Sequence, residues 1–243
     1  MSQHGTHRGR PPGEAAGFTL IELMVVLVVI TVILVIAIPN FLGARLTTNE
    51  TAAIANLRSV WNAEVQFQQS AATDVDGDGA GEFGFLREIT GLTGVRTAPD
   101  GTATGRSMNP TVLSAGFRTI DSQGAASRSG YRFVVRLPDD TGLGVHEVPS
   151  GAFTGSVNSD LAETTFCLYA WPNTHSSTGS RTFFVNQQGD MTATDDAAYS
   201  GANFHSVASD GMAFAGAGPA DSITGRAATG TIGRDSNRWR QVN

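Results

Sequence analysis

Glu22 is the only ionisable side chain between Phe18 and Ala44, and it stands near the start of the run FTLIELMVVLVVITVILVIAI. A carboxylate in hydrocarbon costs on the order of 2.5–3.5 kcal/mol at a helix centre and less near the end, so such an acid either snorkels to the interface or meets a positive partner. The small residues Ala15, Ala16 and Gly17 stand just before the run. Cleavage after Gly17 would create an α-amino group on Phe18, one helical turn from Glu22, and a neighbouring copy of the helix would carry that amine at a comparable depth. The interfacial and the paired readings of Glu22 both fit its position.

A second constellation is DVDGDGAGEFGF, from Asp74 to Phe85. Asp74, Asp76 and Asp78 occupy positions 1, 3 and 5 of an EF-hand-type loop, with Gly79 at the turn position, the Ala80 carbonyl at position 7 and Glu82 at position 9. Three carboxylates on alternate residues repel one another unless a cation joins them, so this loop is expected to hold Ca²⁺. Position 12 is Phe85 rather than a bidentate glutamate, and Glu88 comes three residues late, within reach only of a different loop geometry. The alternative reading is a solvated Asp/Gly turn that closes a helix.

Composition removes other chemistries. All 16 basic residues are arginine, so a Schiff-base lysine or a P-loop lysine is excluded. A formal charge of −6 speaks against a nucleic-acid-binding face. The single cysteine, Cys167, can form no intramolecular disulfide, and it alternates within an aromatic strand as a core thiol does. His146, His175 and His205 make no metal-ligand spacing, and no catalytic constellation emerges.

These groups need elements to position them. Residues 1–17 form a polar leader carrying Arg8, Arg10 and Glu14. Residues 18–38 would extend roughly 31 Å as a helix, enough to cross a hydrocarbon core of about 30 Å. The basic leader places the chain beyond residue 45 outside the cytoplasm. Pro39 with Gly43 predicts a kink or a locally melted stretch. Residues 39–72 continue as an amphipathic spine through Ile54, Leu57, Trp61, Val65 and Gln68, widened by Val60 and Phe67, with Glu64 among the polar remainder. A continuous helix from 18 to 70 would be about 80 Å long.

Residues 73–196 read as a globular head. Strands are predicted at 131–137, 164–171 and 181–187, with a short fourth in GDMTATD, in a meander that lays one face of an antiparallel sheet on the spine. Residues 85–128 read as an irregular connection with one short helix or strand. Residues 197–243, rich in Gly, Ala and Ser, read as a surface flap or disordered tail, with Trp239 anchoring the end. The fold class is α+β.

The segment GFTLIELMVVLVVITVILVIAIPNF resembles the N-terminus of type IV pilins and type II secretion pseudopilins, through Gly17, Phe18, Thr19, Leu20, Ile21, Glu22 and Pro39 at the family's spacing. The likeness covers residues 17 to about 68; where the family commonly has a basic residue before the glycine, this chain has Ala16. The run FCLYAWPNTHSSTGSRTFFVNQQGD is more loosely similar to the C-terminal sheet of a subset of large bacterial pilin-like proteins.

The resemblance implies a long helix packed on a small sheet, leader removal between Gly17 and Phe18 by a prepilin peptidase, and N-methylation of Phe18. It also implies pairing of Glu22 with a neighbour's N-terminus, helix unwinding near Pro39, and assembly by pilus or secretion machinery into a homo-oligomeric or mixed filament. The implied location is the inner membrane as a precursor, then a surface pilus or a periplasmic pseudopilus, with no enzymatic activity and no nucleic-acid partner. The alternative is a minor, adhesive or membrane-tethered ligand-binding protein. Type II secretion members bind calcium toward the C-terminal end of the head, where Asp190, Asp195 and Asp196 stand in this chain.

Overall fold

The computed structural model describes residues 17–242; the leader expected at 1–17 lies outside the described residues except for Gly17. The chain divides into two compact units, one up to Leu42 and one from Gly43 onward.

The first unit is helical. Thr19 caps helix α1 (Leu20–Gln69), and every residue from Phe18 to Leu42 is exposed. The helix runs unbroken through Pro39, so the melted stretch expected around Pro39 and Gly43 is absent. A proline deprives one turn of a single hydrogen bond, and the turns on either side retain theirs.

In the second unit the buried face of α1 is Ala53, Leu57, Val60, Ala63, Glu64 and Phe67. This corrects the sequence reading: the apolar stripe is rotated towards Ala53 and Val60, Trp61 and Val65 are only half-buried, and Glu64 lies inside. The helix ends when Ala71 takes a left-handed conformation at φ 45°, the place a glycine usually fills.

Beyond α1, the chain forms α2 (Leu86–Ile89), β1 (Gly94–Arg96), β2 (Ala103–Ser107), β3 (Ala126–Arg128), β4 (Tyr131–Pro138) and β5 (Gly144–Val145). It continues through α3 (Ser159–Ala162), β6 (Cys167–Pro172), β7 (Thr182–Asn186), β8 (Met191–Thr194), α4 (Phe204–Val207), β9 (Thr231–Ile232) and β10 (Arg238–Gln241). Among the described strands, β1 and β2 form a separate ribbon, and one antiparallel sheet has the order β3-β4-β6-β7-β8-β10-β9, with β5 on β4. The register sets Phe133 opposite Ala170 and Leu168 opposite Val185.

Alternation along the strands serves two cores. Phe133, Val135, Leu168, Ala170, Phe183 and Val185 face the spine. Val134, Cys167, Tyr169, Trp171 and Phe184 face the other way, onto Phe204, Met212, Phe214, Ile223 and Trp239. Residues 197–242 are therefore neither flap nor tail but a third layer. Trp239 is fully buried, the Trp171 and Phe204 rings stack at 3.9 Å, and β10 extends the sheet on β8. Arg234 pins this layer by donating to the carbonyls of Gly216, Pro219, Ser222 and Thr224. So few large side chains suffice because each fills a site on a sheet that is already formed.

Candidate functional site

At the start of α1 the backbone N–H and hydroxyl of Thr19 donate to Glu22 Oε2 at 2.9 and 2.8 Å, and the Glu22 N–H donates to the Thr19 hydroxyl at 3.2 Å. This is a reciprocal capping box, Thr-x-x-Glu, which satisfies two orphan donors of the helix end. Phe18 is 83% exposed, and Gly17 has open space where a side chain would stand. The first unit thus presents an apolar cylinder with a self-capped acid at its end. α1 is long and apolar enough to cross a membrane. An exposed apolar surface of this extent marks a surface that water does not cover in use.

The acidic loop is assembled in the second unit. Ligand oxygens of Asp74, Asp76 and Asp78 lie within 4.8 Å of one another, a span that one hard cation bridges at 2.3–2.6 Å. The loop holds itself in place: Asp74 accepts from the N–H groups of Gly77 and Gly79, Asp76 from Asp78, and Asp78 from Ala80. Gly77 and Gly79 take φ of 77° and 93°, which a side chain would strain.

A second group, Asp76 with Asp160 and Glu163, meets the same distance criterion. Sequence reading missed Asp160 and Glu163; the only local signal was an acid pair three residues apart after the N-cap Asn158. The Asp78 N–H holds the Asp76 carboxyl down, but partial desolvation and the Asp78 and Asp160 carboxylates outweigh it and raise Asp76. Desolvation first, then Asp78, Asp76 and Asp160, raises Glu163.

Glu82 does not join this loop as a ligand. It is buried, its Oε2 2.8 Å from Arg96 Nη2 and its Oε1 accepting from the Val75 N–H at 2.8 Å. Glu88 is likewise excluded, with Oε2 2.7 Å from Arg96 Nη1 and Oε1 accepting from the Arg96 N–H. The buried guanidinium at 96 claims both acids, a constraint that loop spacing cannot show. Asp190, Asp195 and Asp196 form no metal-sized group among the described residues. Asp195 faces Arg240, and Asp196 accepts from the Asn237 amide.

Cys167 is buried, as expected of a core thiol. The His146 and His205 rings stack at 5.4 Å, and His205 Nδ1 lies 2.7 Å from an Arg136 Nη2 that can only donate, so this imidazole is neutral. Burial, with Arg136 alongside, lowers both histidines to about 3.

A capped, exposed apolar helix whose continuation packs on an antiparallel sheet is consistent with a pilin-like fold. Residues 14–38 match the prokaryotic N-terminal methylation motif. The chain is 37% identical over 82 residues to the type IV major pilin protein PilA of Myxococcus xanthus, covering 34% of this chain and 36% of that protein. It is 42% identical over 61 residues to the type IV wide pilus major component PilA4 of Thermus thermophilus, covering 25% of this chain and 44% of that one. The matches thus span less than half the length of either relative. Residues 39–209, more than half of the chain, match the family described as protein of unknown function (DUF2950), and the chain belongs to that family. No solved structure matches it.

Proposed function

We propose that the chain is a structural subunit of a type IV pilus, inserted in the membrane as a precursor and assembled through the apolar half of α1. The observation that carries this reading is one helix with two kinds of surface: exposed and apolar from Phe18 to Leu42, then buried along one face against the sheet. In this reading a prepilin peptidase cuts between Gly17 and Phe18, Phe18 is N-methylated, and Glu22 receives the N-terminus of a neighbouring subunit. Pro39 supplies the turn with the fewest hydrogen bonds, where the helix yields during assembly. The two relatives named as pilus components support it. Asp74, Asp76 and Asp78, without Glu82, would hold a calcium ion just past the end of the spine, the hard oxygen set and its spacing fitting that ion; Asp76 with Asp160 and Glu163 makes a second triad of the same chemistry.

The test is expression in a piliated host with mass spectrometry of the sheared surface fraction. The expected product begins at Phe18 and carries one added methyl group; a protein found only in the inner membrane and starting at Met1 overturns the reading. Glu22→Ala is expected to insert normally and yield no filaments, and normal filaments would remove the assembly role of that carboxylate.

A further inference from the structure

Four carboxylates, Glu64, Glu82, Glu88 and Glu147, are buried around a single buried guanidinium, that of Arg96. Their hydrogen bonds divide them into two kinds. Glu82 and Glu88 each touch Arg96 and accept further backbone N–H bonds, as ionised carboxylates require. Glu64 is fully buried and accepts only from the Gly84 N–H, at 3.0 Å to Oε2, while its Oε1 has no partner. Glu147 accepts from the Arg87 N–H at 3.3 Å and from the Leu86 N–H, with no cationic side chain bonded to it. The Arg87 guanidinium is turned to the Pro149 carbonyl, and the neighbouring His146 turns its ring to His205.

Arg96 is already shared by two anions and the Arg87 guanidinium is bonded elsewhere, so a third and fourth negative charge would stand in a low-dielectric interior without an ion pair of their own. Groups in that position take up a proton instead. The groups facing Glu64 are Glu88, Arg96 and Glu147, and those facing Glu147 are Glu88 and Arg87.

We propose that Glu64 and Glu147 are held as neutral carboxylic acids and form a proton-loaded latch that fastens the spine helix to the α2 region of the head. The Glu64–Gly84 hydrogen bond is the fastening. It exists because Gly84 lets the backbone approach the spine closely: a Cβ there would lie 2.7 Å from the Phe67 ring and 2.9 Å from Ile89. Loss of the two protons leaves two buried carboxylates with no ion pair of their own, since Arg96 is held by Glu82 and Glu88 and the Arg87 guanidinium by the Pro149 carbonyl, and the α2 region then loosens from the helix.

Burial, with Glu88 beside it, raises Glu147 from the ordinary 4.5 to about 8, and burial raises Glu64 well above the same value. Both acids bind protons more tightly folded than unfolded. The latch is therefore complete below about 4.5, weakens as pH rises above it, and has lost the Glu147 contribution above about 8.

The test is hydrogen–deuterium exchange by mass spectrometry on the full chain in detergent micelles, following peptides that span residues 82–90 from pH 5 to 9. After correction for intrinsic exchange, protection is expected to fall by up to about tenfold per pH unit for each acid that deprotonates on opening. The double variant Glu64→Gln, Glu147→Gln mimics the neutral acids and is expected to hold protection flat. Glu147→Gln alone, which leaves the spine untouched, is expected to remove the part of the slope that ends near pH 8. A flat wild-type profile, or a double variant that keeps the wild-type slope, overturns the latch.

Discussion

Arg96 shows how burial decides the value of a charge. Its guanidinium is 1% exposed and holds Glu82 and Glu88 at 2.8 and 2.7 Å. Removing one partner of a buried ion pair leaves uncompensated charge and costs about 3–5 kcal/mol, so Arg96→Met is expected to lower the urea midpoint sharply. The Arg181 guanidinium, 44% exposed, pairs with Glu50 at 2.8 Å. Arg181→Ala is expected to cost about 1 kcal/mol or less, and a loss equal to that of Arg96 would refute the distinction. Ala71 offers the opposite sign: with φ at 45° it occupies glycine's conformation, so Ala71→Gly is expected to be neutral or to stabilise by up to about 1 kcal/mol in the same titration. The exceptional place of Glu22 was legible from sequence because an acid in an apolar run has few explanations. Glu64 was not, because a glutamate on a helix ordinarily faces solvent, and only the Gly84 N–H and the excess of buried acids reveal otherwise.

The strands were legible for a related reason. YRFVVRL and RTFFVNQ are rich in aromatic and β-branched residues and are bounded by turn clusters, and runs of that kind are hard to mistake. What covers the second face was not legible. The C-terminal layer is rich in Gly, Ala and Ser, and its core contribution comes largely from a few irregularly spaced side chains: Tyr199, Phe204, Met212, Phe214, Ile223 and Trp239. Periodicity has nothing to detect in such a segment, since its shape is set by the sheet beneath it. Trp239 carries the argument to a test. It is fully buried, touches Tyr169 and Phe184 edge-on, and sits on the strand that closes the β8 edge. Trp239→Ala is expected to cost about 3–5 kcal/mol, read as a shifted denaturant midpoint with an unchanged slope. A loosely attached tail would show almost no shift.

At the scale of the whole molecule, exposure and burial are assigned to different stretches of one helix. No residue from Phe18 to Leu42 is buried, whereas the core begins at Ala53. The contacts that hold α1 to the sheet region all lie within the second unit: Glu50 with Arg181, Asn49 with the Thr178 carbonyl, and the Trp61 indole with the Asn186 carbonyl. A chain beginning at Gly43 is expected to fold in water without detergent and to remain monomeric. It should melt cooperatively at the temperature of the corresponding transition in the full chain, by circular dichroism and light scattering. The full chain, carrying an uncovered apolar cylinder, is expected to need detergent or a membrane. A truncated chain that aggregates or unfolds would mean that the apolar stretch also stabilises the second unit.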